Sequence, residues 1–105
     1  MEKPNLKYLE ALSEGDLDFQ NEVISILKKE FPVELNQFKT AVFHENYTKA
    51  AACIHKMKLK ISMLGLQKSF VLASEYEKEL KIGKNRKQQE FEIILGEIYV
   101  FLEKI

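Results

Sequence analysis

The residue best placed to do chemistry is His55, on a stretch whose apolar side chains recur at helical spacing. The apolar stripe consists of Tyr47, Ala50, Ile54, Met57, Ile61 and Leu64. At ~100° per residue, His55 falls roughly 130° from the centre of that stripe, so we expect its imidazole to face water. Neutral imidazole is a good nucleophile near pH 7, because its unperturbed pKa is about 6.5. The pattern therefore favours a nucleophilic role.

The surroundings of His55 support that interpretation. The expected neighbours on the solvent side are small or apolar, where an ordinary solvated helix would carry charge: Ala51, Ala52, Leu59, Ser62 and Met63. We interpret them as a docking surface for another protein. Lys58 follows His55 by three residues, which places its ammonium group within reach of a phosphoryl group held on the ring. Lys56 points ~100° away from His55 and adds only to the wider positive field.

Other chemistries find little support in the sequence. A di-iron bundle needs glutamate three residues before histidine, but Ala52 and Ala41 stand three residues before His55 and His44. We therefore expect no metal site. Cys53 and His55 point to different sides of the helix and cannot pair as nucleophile and base. Without a glycine-rich phosphate loop as well, the chain lacks the parts of a self-contained enzyme.

The composition predicts a single globular domain spanning residues 1–105, with 46% hydrophobic and 30% charged residues. Lys and Arg together number 16, as do Asp and Glu, so no global field attracts nucleic acid. The one cysteine, Cys53, is expected to be a small core residue in a reducing compartment. We expect no signal peptide and no membrane span, which would require about 20 consecutive apolar residues. The expected location is the cytoplasm.

Helical periodicity extends along the whole chain, and Gly, Asn and Pro interrupt it. A short helix ends near Gly15, and Asp16 can cap a longer one. The apolar residues Phe19, Val23, Ile26 and Leu27 of this longer helix are expected to face the core, and Pro32 should kink it or begin a new helix. Asn46 can cap the helix of His55, and Gly65 should end it. The remaining two helices are predicted over residues 66–82 and 87–104. Short connections predict an all-α fold: an up-down antiparallel four-helix bundle with a short additional N-terminal helix.

The stretch from His55 to Gly65, HKMKLKISMLG, resembles the signature of histidine-containing phosphotransfer (HPt) domains. In that family a histidine is followed by an apolar residue and a lysine at the second and third positions, and Leu-Gly ends the helix. Met57, Lys58, Leu64 and Gly65 fall in this register. The order of helices along the rest of the chain is also similar to that family.

The resemblance implies that His55 accepts a phosphoryl group, through Nε2, and passes it between aspartates of receiver domains in a multistep phosphorelay. Lys58 would stabilise the phosphoryl charge. The implied partners are a response-regulator receiver domain and a hybrid sensor histidine kinase, and the receiver would bring the Mg²⁺, so that the chain needs no cofactor of its own. A monomer is expected.

The chain departs from the family pattern at Leu59, where glycine is usual after the lysine. The leucine should stand on the docking face and either restrict the partners or add apolar contact area. The family's supporting polar residue on the next helix is expected between Glu75 and Glu79, without a choice among them. Two alternatives remain open: a helical module that docks receivers without carrying phosphate, and a bundle that self-associates through the apolar surface.

Overall fold

The computed structural model describes residues 2–105, and within them every regular element is helical. The five helices are α1 (Lys7–Ser13), α2 (Leu17–Phe43), α3 (Tyr47–Met63), α4 (Gln67–Lys81) and α5 (Gln88–Lys104). Helix α3 packs against α2 and α4, α5 packs against the same two helices, and α1 packs against α2. The all-helical class predicted from the sequence is thus confirmed. Helix α4 is one residue shorter at each end than predicted, and α5 begins one residue later and ends where predicted.

Side-chain caps at two helix starts confirm the sequence predictions. Asp16 Oδ1 accepts the backbone N–H of Phe19 at 3.1 Å, at the start of α2. Asn46 Oδ1 accepts the N–H of Lys49 at 3.2 Å, at the start of α3. Each bond satisfies a donor that has no partner inside its own helix, which fixes where the helix begins.

Pro32 does not start a new helix, because α2 runs unbroken from Leu17 to Phe43 through it. Proline removes one backbone hydrogen bond and would destabilise an isolated helix at this point. Phe31 and Phe38, on either side of it, are fully buried in the core. Packing on both sides therefore holds the two halves in one helix.

The N-terminal part of α2 is less buried than its periodicity predicts. Phe19 and Ile26 are exposed, and of the predicted core positions there only Leu27 is buried and Val23 partly so. The helix has 27 residues, whereas its neighbours α3 and α4 have 17 and 15. At 1.5 Å per residue, α2 is roughly 40 Å long and extends beyond them. Its first turns pack against α1, where Ser13 Oγ lies 3.5 Å from Gln20 Oε1.

The core is centred on three aromatic rings from three helices. Phe38 of α2 packs edge to face on Tyr76 of α4 and on Phe91 of α5, with ring centroids 6.0 and 5.3 Å apart. Tyr76 and Phe91 also make an edge contact, at 5.5 Å. This packing connects α2, α4 and α5.

Candidate functional site

The His55 imidazole is exposed, as its position relative to the apolar stripe predicts. The side chain retains 71% of its exposure, whereas Ile54 and Met57 on the same helix are fully buried. A mid-helix position fixes the backbone under the ring, because both ends of α3 are held by cap and packing contacts. The imidazole is thus a solvent-facing group on a rigid support.

One edge of the ring faces a carboxylate on the neighbouring helix. His55 Nδ1 lies 3.2 Å from Oε2 of Glu77, whose side chain is only 7% exposed. Glu77 is within the stretch where the sequence predicts a supporting residue. The structure separates it from its neighbours, because Glu75 is exposed to solvent and Glu79 pairs with Arg86 and Lys87.

Two lysines neutralise this carboxylate. Lys58 Nζ lies 2.9 Å from Glu77 Oε1, and Lys81 Nζ lies 3.3 Å from Oε2. Burial by itself would raise the pKa of the Glu77 carboxyl, but the two lysines outweigh it and hold that pKa below its ordinary value. At neutral pH the group next to His55 is therefore a carboxylate, which can accept a hydrogen bond from a protonated Nδ1.

Lys58 is close to His55, as predicted, but its ammonium group already has partners. Besides the Glu77 contact, its Nζ lies 5.6 Å from the centre of the Phe70 ring, and the side chain is only 20% exposed. The cation is thus bound between a carboxylate and an aromatic face, which restrains its movement.

The sequence analysis did not identify Lys81. This residue follows Glu77 by four positions on α4, a spacing that favours ion pairs on a helix. That spacing was the available signal, but it gains meaning only once Glu77 is known to face His55. Lys60, two residues after Lys58 on α3, points instead to α2 and pairs with Glu30 and Glu34.

The expected docking residues are not all on the surface. Ala52 and Leu59 are exposed, the latter by 68%, and Ser62 and Met63 are partly exposed. Ala51 is buried, so the prediction that it faces solvent is wrong. Helix α3 packs against both α2 and α4. These two helices cover a wider part of its surface than the apolar stripe indicates, and Ala51 lies in the covered part.

The end of α3 explains the Leu64-Gly65 part of the motif. Leu64, like Met57, is fully buried, and Gly65 has a φ of +79°, which only glycine adopts without strain. A Cβ on Gly65 would also lie 2.6 Å from the side-chain nitrogen of Asn5. Since the backbone N–H of Asn5 donates to the Leu64 carbonyl at 2.9 Å, the leading segment is attached at this end of the helix, two turns beyond His55.

The structure places Cys53 where the sequence predicts it. Cys53 is buried in the core, and burial raises the pKa of its thiol. His44 is exposed at the C-terminal cap of α2. Among residues 2–105, no group of three or more His, Cys, Asp or Glu side chains is arranged to hold a metal ion. None of the helices in that range has the length and apolar character that crossing a bilayer requires.

Comparison with known proteins places the chain in no family. No family model, no curated protein and no solved structure matches it. The features that bear on function are therefore the residues around His55 and the resemblance of the HKMKLKISMLG stretch to the HPt signature.

Proposed function

We propose that this protein is a histidine phosphotransfer protein and that His55 is its phosphoryl acceptor. The observation that carries the proposal is the exposed imidazole whose Nδ1 faces a buried, lysine-paired carboxylate. Such a carboxylate favours the tautomer with the proton on Nδ1, which leaves the lone pair on Nε2. That atom is then the nucleophile, on the side of the ring away from Glu77.

The transfer step needs little from this chain beyond that nucleophile. Nε2 attacks the phosphorus of an aspartyl phosphate, so that a bond from nitrogen to phosphorus forms and the bond from the carboxyl oxygen to phosphorus breaks. The aspartate leaves as a carboxylate, and the Nδ1 proton stays against Glu77. Mg²⁺ bound to the receiver would balance the charge of the loose transition state. The reverse step passes the group to the aspartate of a second receiver.

The proposed fold is an up-down antiparallel four-helix bundle of α2 to α5, with α1 added at the side. Lys60 of α3 pairs with Glu30 and Glu34 of α2, which supports an antiparallel α2–α3 pair. The sharp turn at Gly65 supports the same arrangement for α3 and α4. In this arrangement the outer face of α3 carries His55 and stays open to a partner.

We propose that the partners are a receiver domain of a response regulator and a hybrid sensor kinase. The receiver would cover the surface formed by Ala52, Leu59, Ser62 and Met63 around His55, and the protein would act as a monomer. The isolated Leu59 side chain would lie at the centre of this contact. Burying it would add roughly 25 cal/mol per Å² of apolar area. Such relays operate in the cytoplasm, a reducing compartment that suits an unpaired cysteine.

The test is phosphorylation of the purified protein by a phosphorylated receiver. The wild-type protein should acquire one acid-labile phosphoryl group, and a His55→Gln variant should acquire none. His44→Gln, which changes the other exposed histidine, should be labelled like the wild type. Label that persists on His55→Gln, or that is stable to acid, would exclude His55 as the acceptor.

A second candidate function follows from Leu59, which stands on the exposed face one turn after His55. A docking module that no longer carries phosphate would bind receivers through this side chain. It would bind them equally well as a His55→Ala variant, lose binding as Leu59→Asp, and never yield phosphohistidine. Labelling of His55 in the first experiment would rule out this alternative.

A further inference from the structure

The two lysines on Glu77 are not equivalent. Lys58 contacts Oε1 of the carboxylate, whereas Lys81 contacts Oε2, the oxygen that also faces His55 Nδ1. The Lys81 ammonium group and the ring therefore share one oxygen atom, and their nitrogens lie within two hydrogen-bond lengths of each other. The contact of Lys58 is with the other oxygen, Oε1, at 2.9 Å.

Their freedom to move also differs. The Lys58 side chain is 20% exposed and bound between Glu77 and the Phe70 ring. The Lys81 side chain is 62% exposed, and its one ion-pair partner among residues 2–105 is Glu77. Because the Lys81 ammonium group is exposed and Glu77 keeps its contact with Lys58, Lys81 can leave this ion pair between neighbours on one helix at small cost. Leaving would be much more costly for Lys58, which is largely shielded from water.

A phosphoryl group on His55 would bring up to two negative charges close to the Glu77 carboxylate. A cation that lies between these anions, or moves to the phosphoryl oxygens, would offset the repulsion between them. Lys58 must stay with Glu77, since a carboxylate that is 7% exposed cannot be left without a partner. Lys81 is the cation that can move.

We propose that Lys81, and not Lys58, is the residue that binds the phosphoryl group on His55. This inference rests on the proposed function and assigns a role to a residue outside the HKMKLKISMLG motif. Lys58 acts as a positioning residue, because it holds the Glu77 carboxylate against Nδ1. On phosphorylation, the Lys81 ammonium group moves from Glu77 Oε2 to the phosphoryl oxygens. The protonated Nδ1 of His55 then donates the remaining hydrogen bond to Oε2.

The experiment uses phosphoramidate, a small donor that needs no partner protein. Its phosphorus–nitrogen bond breaks, a bond from His55 Nε2 to phosphorus forms, and ammonia leaves with the proton it requires. The rate of phosphohistidine formation is measured by intact mass and phosphorus NMR. Lys81→Met should react about tenfold more slowly, the effect of losing one charge-assisted hydrogen bond at an exposed site. Lys81→Arg should retain most of the rate.

Two further variants separate binding of the phosphoryl group from structural effects. Lys78→Met removes an exposed lysine from the same helix and should react like the wild type. Lys58→Met should lower the unfolding midpoint more than Lys81→Met, yet slow the reaction less at a temperature where both are folded. In lysine-side-chain NMR, the Lys81 ammonium signal should shift on phosphorylation while that of Lys58 stays close to its original position.

The outcomes distinguish this inference from the proposed function. If the wild type takes up label on His55 and Lys81→Met reacts at the same rate, the role of Lys81 is refuted and the phosphotransfer proposal stands. A Lys58→Met variant that is folded but slower than Lys81→Met would also refute it. If neither phosphoramidate nor a phosphorylated receiver labels wild-type His55, both proposals fail together.

Discussion

Replacing Glu77 with glutamine tests the electrostatic arrangement around His55. Glutamine keeps the size and shape of the side chain, so no cavity forms, but Lys58 and Lys81 lose their counter-charge. The Lys58 pair is the larger contribution, because both side chains are mostly buried. Breaking a fully buried pair costs about 3–5 kcal/mol, and partial exposure of Lys58 reduces this to roughly 1.5–2 kcal/mol.

The Lys81 pair adds little to this sum. Its lysine is exposed, and an ion pair between neighbours on one helix is worth about 0.3–0.5 kcal/mol. We therefore expect Glu77→Gln to lower the free energy of unfolding at pH 7 by about 2 kcal/mol. For a domain of this size the melting temperature would fall by roughly 8–15 °C. Urea and thermal unfolding, followed by circular dichroism, measure both quantities.

The pH dependence of this effect has a definite sign. The pKa of Glu77 is held below its unfolded value of 4.5, so the stabilisation is fully present above pH 4.5. It is lost as pH falls through the lower folded pKa, where the carboxyl binds a proton in both states. The difference between wild type and Glu77→Gln should therefore shrink steadily below pH 4.5.

Glu75→Gln is the matched control. It makes the same change on the same helix, at an exposed side chain that has no ion pair within residues 2–105, and should leave stability within about 0.5 kcal/mol of the wild type. The reasoning would be refuted if Glu77→Gln were as stable as Glu75→Gln at pH 7. A loss of stability that persisted unchanged at pH 3 would also refute it, because the cause could not then be the charge.

Three further predictions concern the support of the site. Gly65→Ala should lower the free energy of unfolding by roughly 1–3 kcal/mol in urea titrations, because alanine is strained at this positive φ and its Cβ would displace the Asn5 side chain. Gly96→Ala, in a helix with open space around it, should raise the free energy of unfolding by about 0.5–1 kcal/mol. Phe38→Ala should cost about 3–5 kcal/mol, measured the same way, since it removes the ring shared by α4 and α5. Burial by itself would lower the pKa of Lys60, but its ion pairs with Glu30 and Glu34 outweigh burial and hold that pKa above 10.5. The stabilisation that the Lys60 charge provides should therefore be lost as pH rises above 10.5. Alkaline unfolding should show this loss in the wild type and not in a Lys60→Met variant.

Local sequence patterns predicted the parts of this fold that depend on the backbone and on helical periodicity. Asp16 and Asn46 were recognised as caps, and Gly65 as a helix end, because each satisfies a requirement within a few residues. The exposure of His55 followed in the same way from its angle to the apolar stripe of one helix. Such features need no knowledge of what the helix packs against.

Features that depend on two helices were not decided by the sequence. Periodicity gave Ala51 a solvent-facing position, but α3 is covered from two sides and buries it. It also gave Phe19 a core position, but α2 extends beyond the helices that could cover it there. In both cases the burial of a side chain depends on the length and placement of neighbours, which a single helical wheel does not contain.

The same distinction, between features set within one helix and features that depend on two, applies to the candidate site. The sequence by itself determined an exposed His55, a lysine three residues later, and a helix that ends at Leu64-Gly65, because all of these are set by spacing along one helix. Only the tertiary structure decided that Glu77 is the carboxylate facing the ring, that Lys58 is already bound to it, and that Lys81 is the more exposed of its two cations. Those contacts cross from α3 to α4, and the rotation of one helix against the other fixes them; that rotation results from core packing and not from any local pattern.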